Sequence, residues 1–438
     1  MSKPVTEIIE FNPTRRLSKG NIAPFIDMAS LPINARDINE ISFKEFKSGT
    51  KFQNGDILFA RITPCLENGK TAKVNCLSDN VIGHGSTEFI VLSAKLPDYD
   101  EDYIYYLTRL PEFREFARQR MEGTSGRQRV SWQSLSEFTY DFPEKEIRWK
   151  NAQILKVFDD KIQLNTQINQ TLEQIAQTIF KSWFIDFDPV HAKANALASG
   201  QTTEQATQAA MAVISGKNMQ ELHRLQTANP EQYQQLWEIA EAFPSGFDEE
   251  GVPRGWEERE LSSLFEFLSG AQPPKSEHIY EEKEGYERFI QNRDYSNDNH
   301  KTYIPISKKN KRCTEKDILM DKYGEAGKVR YGIKGAYNVA LAKIVPQKDN
   351  LREFLRSYFT QDKIRNYLSS SSMASTRNSL NSTTFTGMKV IVPNDFLLFT
   401  FDKLANEKID KILQIKQENI ELSKLRDYLL PKLLSGEV

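Results

Sequence analysis

Apolar residues near the middle of the chain recur at the spacing of an α-helix. Residues three and four positions apart share one helix face, so this pattern predicts a long amphipathic helix over residues 146–186. One position of the stripe is Asn165, a polar residue that costs stability in a coiled-coil seam but fixes its register. The stripe consists of Ile154, Phe158, Lys161, Asn165, Ile168, Leu172, Ile175 and Ile179.

A second copy of this helix lies near the carboxyl end of the sequence. Asp160-Lys161-Ile162 aligns with Asp410-Lys411-Ile412 at an offset of 250 residues, and this offset holds without a gap from residue 124 to residue 184. A repeated seam favours two long helices that pair with each other as an antiparallel coiled coil. The alternative is an ordinary amphipathic helix that packs on a globular core.

The segment before each helix alternates short β-like runs with turns. Residues 56–62 and 88–92 have the pattern of strands, and residues 103–121 return to helical spacing. Residues 317–320 and 354–359 repeat these features in the second half. The sequence therefore predicts an α+β fold made by tandem duplication of a mixed domain plus a long helix, with the two copies related by a pseudo-twofold axis.

These patterns divide the chain into five segments. The mixed domains occupy residues 1–145 and 251–395, the long helices occupy 146–186 and 396–438, and a segment without a counterpart occupies 187–250. That segment is rich in Ala and Gln, and it contains two typical helix starts, at Thr203 and at Asn229-Pro230. We expect it to be a helical spacer or insertion.

Composition excludes several classes of protein. The 438 residues are 39% hydrophobic and 27% charged, and no apolar run approaches the roughly 20 residues of a membrane span. The amino terminus lacks the apolar core of a signal peptide. The three cysteines show no Cys-x-x-Cys spacing. We therefore expect a soluble protein of the reducing cytoplasm.

Charge is unevenly distributed along the chain. The net charge is −2, yet residues 301–334 hold ten Lys or Arg against four Asp or Glu, and residues 109–129 hold six against three. Residues 194–250 are acidic, with eight acidic residues against two basic ones. One basic patch in each half would suit two contacts with a polyanion, although charge runs are more often solvated faces.

A search for catalytic chemistry finds no complete motif. Gly324-Glu-Ala-Gly-Lys328 resembles a phosphate-binding loop but lacks its first Gly and its final Ser or Thr. The five His residues show no metal-ligand spacing. We therefore expect neither catalytic residues nor a metal site in this chain.

Four stretches together carry a family resemblance: Phe52–Lys70, Lys181–Val190, Gly251–Trp256 and Leu429–Gly436. They resemble the opening of one target recognition domain, the end of the central helix, the start of the second recognition domain and the carboxyl end in the specificity (S) subunit of type I restriction-modification enzymes. The resemblance covers nearly the whole chain.

The resemblance implies a non-catalytic DNA-recognition subunit. Each target recognition domain, here 1–145 and 251–395, would read one half of a bipartite sequence in double-stranded DNA. The helices would separate the halves, because about 35 helical residues span on the order of 50 Å. The implied partners are two methyltransferase (M) subunits and restriction-translocase (R) subunits, which would hold S-adenosylmethionine, ATP and Mg. The alternatives are an enzyme with a divergent DNA methyltransferase or nuclease site and a coiled-coil scaffold without DNA contact.

Two duplicated loops are the candidate DNA interface. Residues 123–129 and 373–378 occupy equivalent places and share Arg, at 127 and 377, whose guanidinium can bind phosphate or read guanine. The alternative is a solvated turn. The predicted DNA-binding residues are Arg61, Lys70, Thr124, Ser125, Arg127, Gln128, Arg129, Lys322, Tyr323, Lys328, Thr376, Arg377 and Asn378.

Apolar residues at the ends of both long helices are candidates for partner docking. We expect them to be exposed, as a larger apolar surface than a helix pair alone needs. The alternative is that they form intramolecular core. They are Ile179, Phe180, Trp183, Phe184, Leu429, Leu430, Leu433 and Leu434.

Overall fold

The computed structural model describes residues 2–33, 35–38, 40–124, 126–296, 300–374 and 379–437. These residues form two compact units. Unit 1 comprises the described residues of 1–167 and 416–438, and unit 2 comprises those of 168–415.

The first part of the chain is mainly β-structure followed by short helices. Its strands are β1 Lys3–Pro4, β2 Ile9–Phe11, β3 Ile22–Ile26, β4 Ser42–Glu45, β5 Thr50–Phe52, β6 Ile57–Ala60, β7 Thr71–Lys73, β8 Gly83–Gly85, β9 Phe89–Ala94 and β10 Thr139–Tyr140. Its helices are α1 Pro97–Leu107, α2 Pro111–Gln119 and α3 Trp132–Ser136. The single helical stretch predicted over 103–121 is thus two helices, because Pro111 lacks the N–H needed to continue the first one.

The middle of the chain is helical. The helices are α4 Lys145–Phe184, α5 Asp188–Ala198, α6 Thr203–Ser215, α7 Met219–Ala228 and α8 Pro230–Ala242. The predicted starts of α6 and α8 are confirmed, since Thr202 and Asn229 accept backbone N–H bonds as N-caps.

The last part repeats the first. Its strands are β11 Glu257–Glu260, β12 Phe265–Ser269, β13 Tyr286–Ile290, β14 Tyr303–Pro305, β15 Arg312–Cys313, β16 Ile318–Asp321, β17 Val329–Arg330, β18 Gly335–Tyr337, β19 Leu341–Pro346 and β20 Lys389–Val392. Its helices are α9 Arg352–Thr360, α10 Asp362–Ala374 and α11 Asp395–Ser435. Within the described residues, no helix has an apolar stretch sufficient to span a membrane.

The strand orders of the two units match strand for strand. Unit 1 contains sheets of order β2-β9-β6-β7 and β4-β3-β8-β5, and unit 2 contains sheets of order β12-β19-β16-β17 and β14-β13-β18-β15. The pairs β1-β10 and β11-β20 also correspond. This repetition confirms the predicted tandem duplication and the α+β class.

Strand β6 shows why the predicted strands are continuously apolar. Its residues Ile57 and Phe59 pack into one core of unit 1 with α1, whereas Leu58 and Ala60 pack into another on the opposite face. A strand covered on both faces needs no polar side. The equivalent β16 is likewise buried along its length.

Parts of α4 and α11 pair antiparallel in unit 1. The Asn151 side chain donates to the Leu433 carbonyl at 2.7 Å, and Asn165 Nδ2 donates to Asn419 Oδ1 at 2.8 Å. Between these contacts, Arg426 Nη1 lies 2.5 Å from Asp159 Oδ1. The predicted antiparallel pairing is therefore confirmed, and Asn165 pairs with another Asn across the seam.

Candidate DNA interface

The site in unit 1 begins where β6 ends. Arg61 follows the strand, and its backbone carbonyl accepts a hydrogen bond from Val130 N at 3.0 Å. Thr63 and Gln128 form the next link. The Thr63 N–H donates to the Gln128 carbonyl, and the Gln128 N–H donates to Thr63 Oγ1. The structure thus brings Arg61 and the loop 123–129 together, as their joint assignment to the DNA interface requires.

The loop itself is a tight turn that presents polar side chains to solvent. Gly123 has φ +122°, and a Cβ there would lie 3.1 Å from the Arg127 carbonyl oxygen, so this position requires glycine. Thr124, Arg127 and Arg129 are exposed, and Gln128 is half-buried. The predicted Ser125 lies outside the described residues.

The three cations of this site have different surroundings. Arg127 makes no side-chain hydrogen bond or ion pair with the described residues. Arg61 is half-buried, and its Nε is enclosed without a hydrogen-bond partner. Arg129 is paired with Glu88, with Nη2 2.7 Å from Oε1, and this carboxylate raises the pKa of Arg129.

Lys70, although predicted for the interface, has a structural contact of its own. Its Nζ donates to the Met28 carbonyl at 2.6 Å. This bond holds the ammonium group at the backbone between β3 and β4.

Unit 2 has the same backbone hydrogen bonds after β16. Lys322 stands where unit 1 has Arg61: its carbonyl accepts from Leu380 N at 3.2 Å, and its N–H donates to the Ala340 carbonyl at 2.8 Å. The corresponding bonds in unit 1 are Val130 N to the Arg61 carbonyl and Arg61 N to the Glu88 carbonyl. The backbone of the site is therefore duplicated.

The side chains of the second site are partly engaged with neighbours. Lys322 Nζ donates to Ser269 Oγ at 2.9 Å, and Lys328 Nζ lies 2.7 Å from Glu325 Oε1. Tyr323 is exposed. The predicted Thr376, Arg377 and Asn378 lie outside the described residues.

The predicted exposure of the apolar helix ends is wrong. Phe180, Trp183 and Phe184 belong to the main core of unit 2, where the rings of Phe180 and Phe184 lie 5.7 and 5.3 Å from that of Phe401. Ile179 packs against the same core. In unit 1, Leu430, Leu433 and Leu434 are buried with the helix α1, and Leu429 packs against them. Because these side chains are buried, they do not form the exposed docking surface that the sequence predicted.

Exposed apolar side chains occur instead along the outer faces of the helix pair in unit 1. Val157 is 66% exposed and Tyr428 62%, whereas Leu164 and Leu425 are each about half exposed. Leu425 and Tyr428 line a shallow groove with Glu421.

The predicted stripe is wrong at three positions, since Ile154, Lys161 and Ile175 are exposed. The sequence reasoning missed the exposed apolar residues because it took every position of that stripe as seam; Val157 and Leu164 lie off the stripe, and Leu425 is the offset counterpart of Ile175.

Glu88 is the other residue that the sequence reasoning missed. It precedes β9, and only the register of the sheet, with Phe59 opposite Ile90, places it beside Arg61 and Arg129. No local motif marks such a position. Among the described residues, no cluster of three or more His, Cys, Asp or Glu is placed to hold a metal ion.

Each half of the duplicated fold thus carries one basic side chain at the same strand end, Arg61 after β6 and Lys322 after β16. Comparison with known proteins gives the family. The family model described as the type I restriction modification DNA specificity domain matches residues 2–174 and 253–426. The chain therefore belongs to this family, and the resemblance seen in the sequence is confirmed.

Individual relatives agree with this membership. The HindI specificity subunit of Haemophilus influenzae is 36% identical over 408 residues, which cover 88% of this chain and 87% of the relative. The MjaIX specificity subunit of Methanocaldococcus jannaschii is 27% identical over 77% of this chain and 69% of its own length. The crystal structure of a type I S subunit from M. genitalium has a TM-score of 0.50 at 15% identity and covers 99% of this chain and 96% of its own, a likeness of fold.

Proposed function

We propose that this chain is the DNA-specificity subunit of a type I restriction-modification complex, in which each recognition domain reads one half of a bipartite sequence in double-stranded DNA. The observation that supports this most is the duplicated site after β6 and β16. Its backbone hydrogen bonds are repeated, whereas its side chains are not. Two sites with the same backbone hydrogen bonds and different side chains are suited to the recognition of two different half-sites.

The paired helices α4 and α11 set the distance between the half-sites in this proposal. Each is about 40 residues long by its bounds, 145–184 and 395–435. Because a helix rises about 1.5 Å per residue, insertion of one turn changes its length by about 5 Å.

The catalytic work belongs to the partners. Two methyltransferase subunits, with S-adenosylmethionine, and restriction-translocase subunits, with ATP and Mg, would supply modification and cleavage, while this chain supplies recognition. We place the docking surface for the methyltransferase subunits on the exposed apolar side chains of the unit 1 helix pair, Val157, Leu164, Leu425 and Tyr428. Removal of this surface from water is the driving force that the docking requires.

The docking surface is tested by co-purification. Val157→Gln combined with Tyr428→Gln should lose the methyltransferase subunits yet unfold at the wild-type temperature, since both side chains are mostly exposed. Thr166→Gln is the matched control, because Thr166 is exposed on the same helix but lies nine residues, or two and a half turns, beyond Val157 and so on the opposite face. Full retention of the partner by the double variant would remove this surface from the proposal.

Recognition and spacing are tested together by methylation sequencing of cells with and without the chain. We expect a bipartite methylated motif that appears only with the chain. Four residues inserted near both Gln167 and Gln417 should lengthen the unread spacer and leave the half-sites unchanged. A motif that persists without the chain would refute the recognition role, and an unchanged spacer would refute the role of the helices.

A further inference from the structure

The Glu88–Arg129 ion pair occurs in one of the two duplicated sites only. Sheet register and backbone hydrogen bonds make Ala340 the counterpart of Glu88, and the offset of 250 residues makes Ser379 the counterpart of Arg129. The backbone hydrogen bonds that hold these positions are the same in both units. The pair is therefore a difference in side chains on a common backbone, which is where a difference in sequence preference would arise.

The hydrogen bonds of Arg129 leave part of its guanidinium available. Nε and Nη2 donate to the Glu88 carboxylate at 2.7 to 2.9 Å, and Nη1 donates to the Arg127 carbonyl at 3.2 Å. A guanidinium has five N–H donors, so these contacts occupy three and leave two. The side chain is 43% exposed, so solvent or a ligand can reach it.

We propose that Arg129, held in place by Glu88, reads a guanine base in the half-site of the first recognition domain. Guanine presents two acceptors, N7 and O6, on its major-groove edge, and a pair of guanidinium donors matches them. Glu88 acts as a positioning residue, because a bidentate contact to the carboxylate fixes the plane of the guanidinium. The inference rests on the proposed function and assigns one base contact within it.

Charge favours a base contact over a phosphate contact here. The carboxylate of Glu88 neutralises the charge of Arg129, and it would repel a phosphate placed beside the pair. The remaining N–H donors keep their directions, and direction is what base recognition uses. Arg127, which has no acidic partner among the described residues, is the better candidate for a phosphate.

The test uses the complex with its methyltransferase subunits and a duplex library with both half-sites randomised. Selection with the wild-type complex gives the bipartite preference. Arg129→Ala should weaken binding to the selected duplex by about 5- to 150-fold, the range of one bidentate base contact. It should also abolish the preference for guanine at a single position of one half-site, with the other half-site unchanged.

Two further variants separate positioning from folding. Glu88→Gln should reduce the guanine preference at that same position, and it should have no added effect in the Arg129→Ala background. Arg118→Ala is the matched control, since Arg118 makes a similar bidentate pair with Glu115 on α2, outside the site. This control should leave every preference intact.

The outcomes are distinct. Uniform weakening on all sequences with a smaller salt slope would make Arg129 a phosphate contact and overturn the inference. Wild-type discrimination at every position in Arg129→Ala would do the same, even if the variant were less stable. A wild-type complex that selects no sequence at all would instead refute the proposed function.

Discussion

The site after β6 and the site after β16 have the same backbone hydrogen bonds but different side chains. Arg61 corresponds to Lys322, a conservative difference in a cation, whereas Glu88 corresponds to Ala340. Strand order and backbone links are shared because both copies must fold in the same way. Side chains beyond the strand ends carry no such requirement, so they can differ between the two sites.

The two parts of the helix pair differ in a similar way. Unit 1 contains a buried polar contact, in which Tyr106 and Arg426 both bond to Asp159. The offset of 250 residues places Ile409 and Ala176 at the positions of Asp159 and Arg426, and the helix segments of unit 2 pack through aromatic rings instead. The two copies of the helix repeat are thus stabilised differently, by buried polar contacts in unit 1 and by aromatic packing in unit 2.

The largest expected effect is on the buried pair of unit 1. Arg426→Ala leaves Asp159 charged and buried without its partner, which should lower the free energy of unfolding by about 3–5 kcal/mol. Denaturant titration measures this change. Lys161→Ala, which removes the exposed pair with Glu418 on the same helices, should cost at most about 1 kcal/mol. Equal losses in the two variants would contradict the difference in burial.

A smaller effect, equal in the two units, is expected at the strand-end cations. If Arg61 and Lys322 each contact one phosphate, Arg61→Ala and Lys322→Ala should each lower the slope of log affinity against log salt by about 0.9 and weaken binding to all sequences alike. Titration of the assembled complex at several salt concentrations measures this. A change in one variant alone would show that the sites are not functionally equivalent.

The smallest effect is expected at Lys70. Its ammonium donates to the Met28 carbonyl, so Lys70→Ala should leave both DNA affinity and the salt slope unchanged. The same titration serves as the measurement. A slope reduced as much as in Arg61→Ala would return Lys70 to the DNA interface.

Much of the fold could be predicted because repetition and periodicity are local properties of the sequence. The gapless repeat around Asp160 and Asp410 predicted the duplication, and the pseudo-twofold relation that a duplication favours predicted the antiparallel pairing of the helices. The burial of Trp183 could not be predicted, since it depends on rings such as Phe401 that lie far away in the chain. Glu88 was missed for the same reason: sheet register, rather than spacing along the chain, brings it to Arg129.

The central claim, that each recognition domain independently reads one half-site, is tested most directly by an exchange. Sheet register makes residues 3–140 equivalent to 259–390, since Lys3 opposes Tyr140 as Arg259 opposes Val390. A chain with a second copy of 3–140 in place of 259–390 should direct methylation to a motif in which both halves carry the sequence of the first wild-type half, on one strand or its complement. Methylation sequencing that still found the wild-type second half would contradict the account.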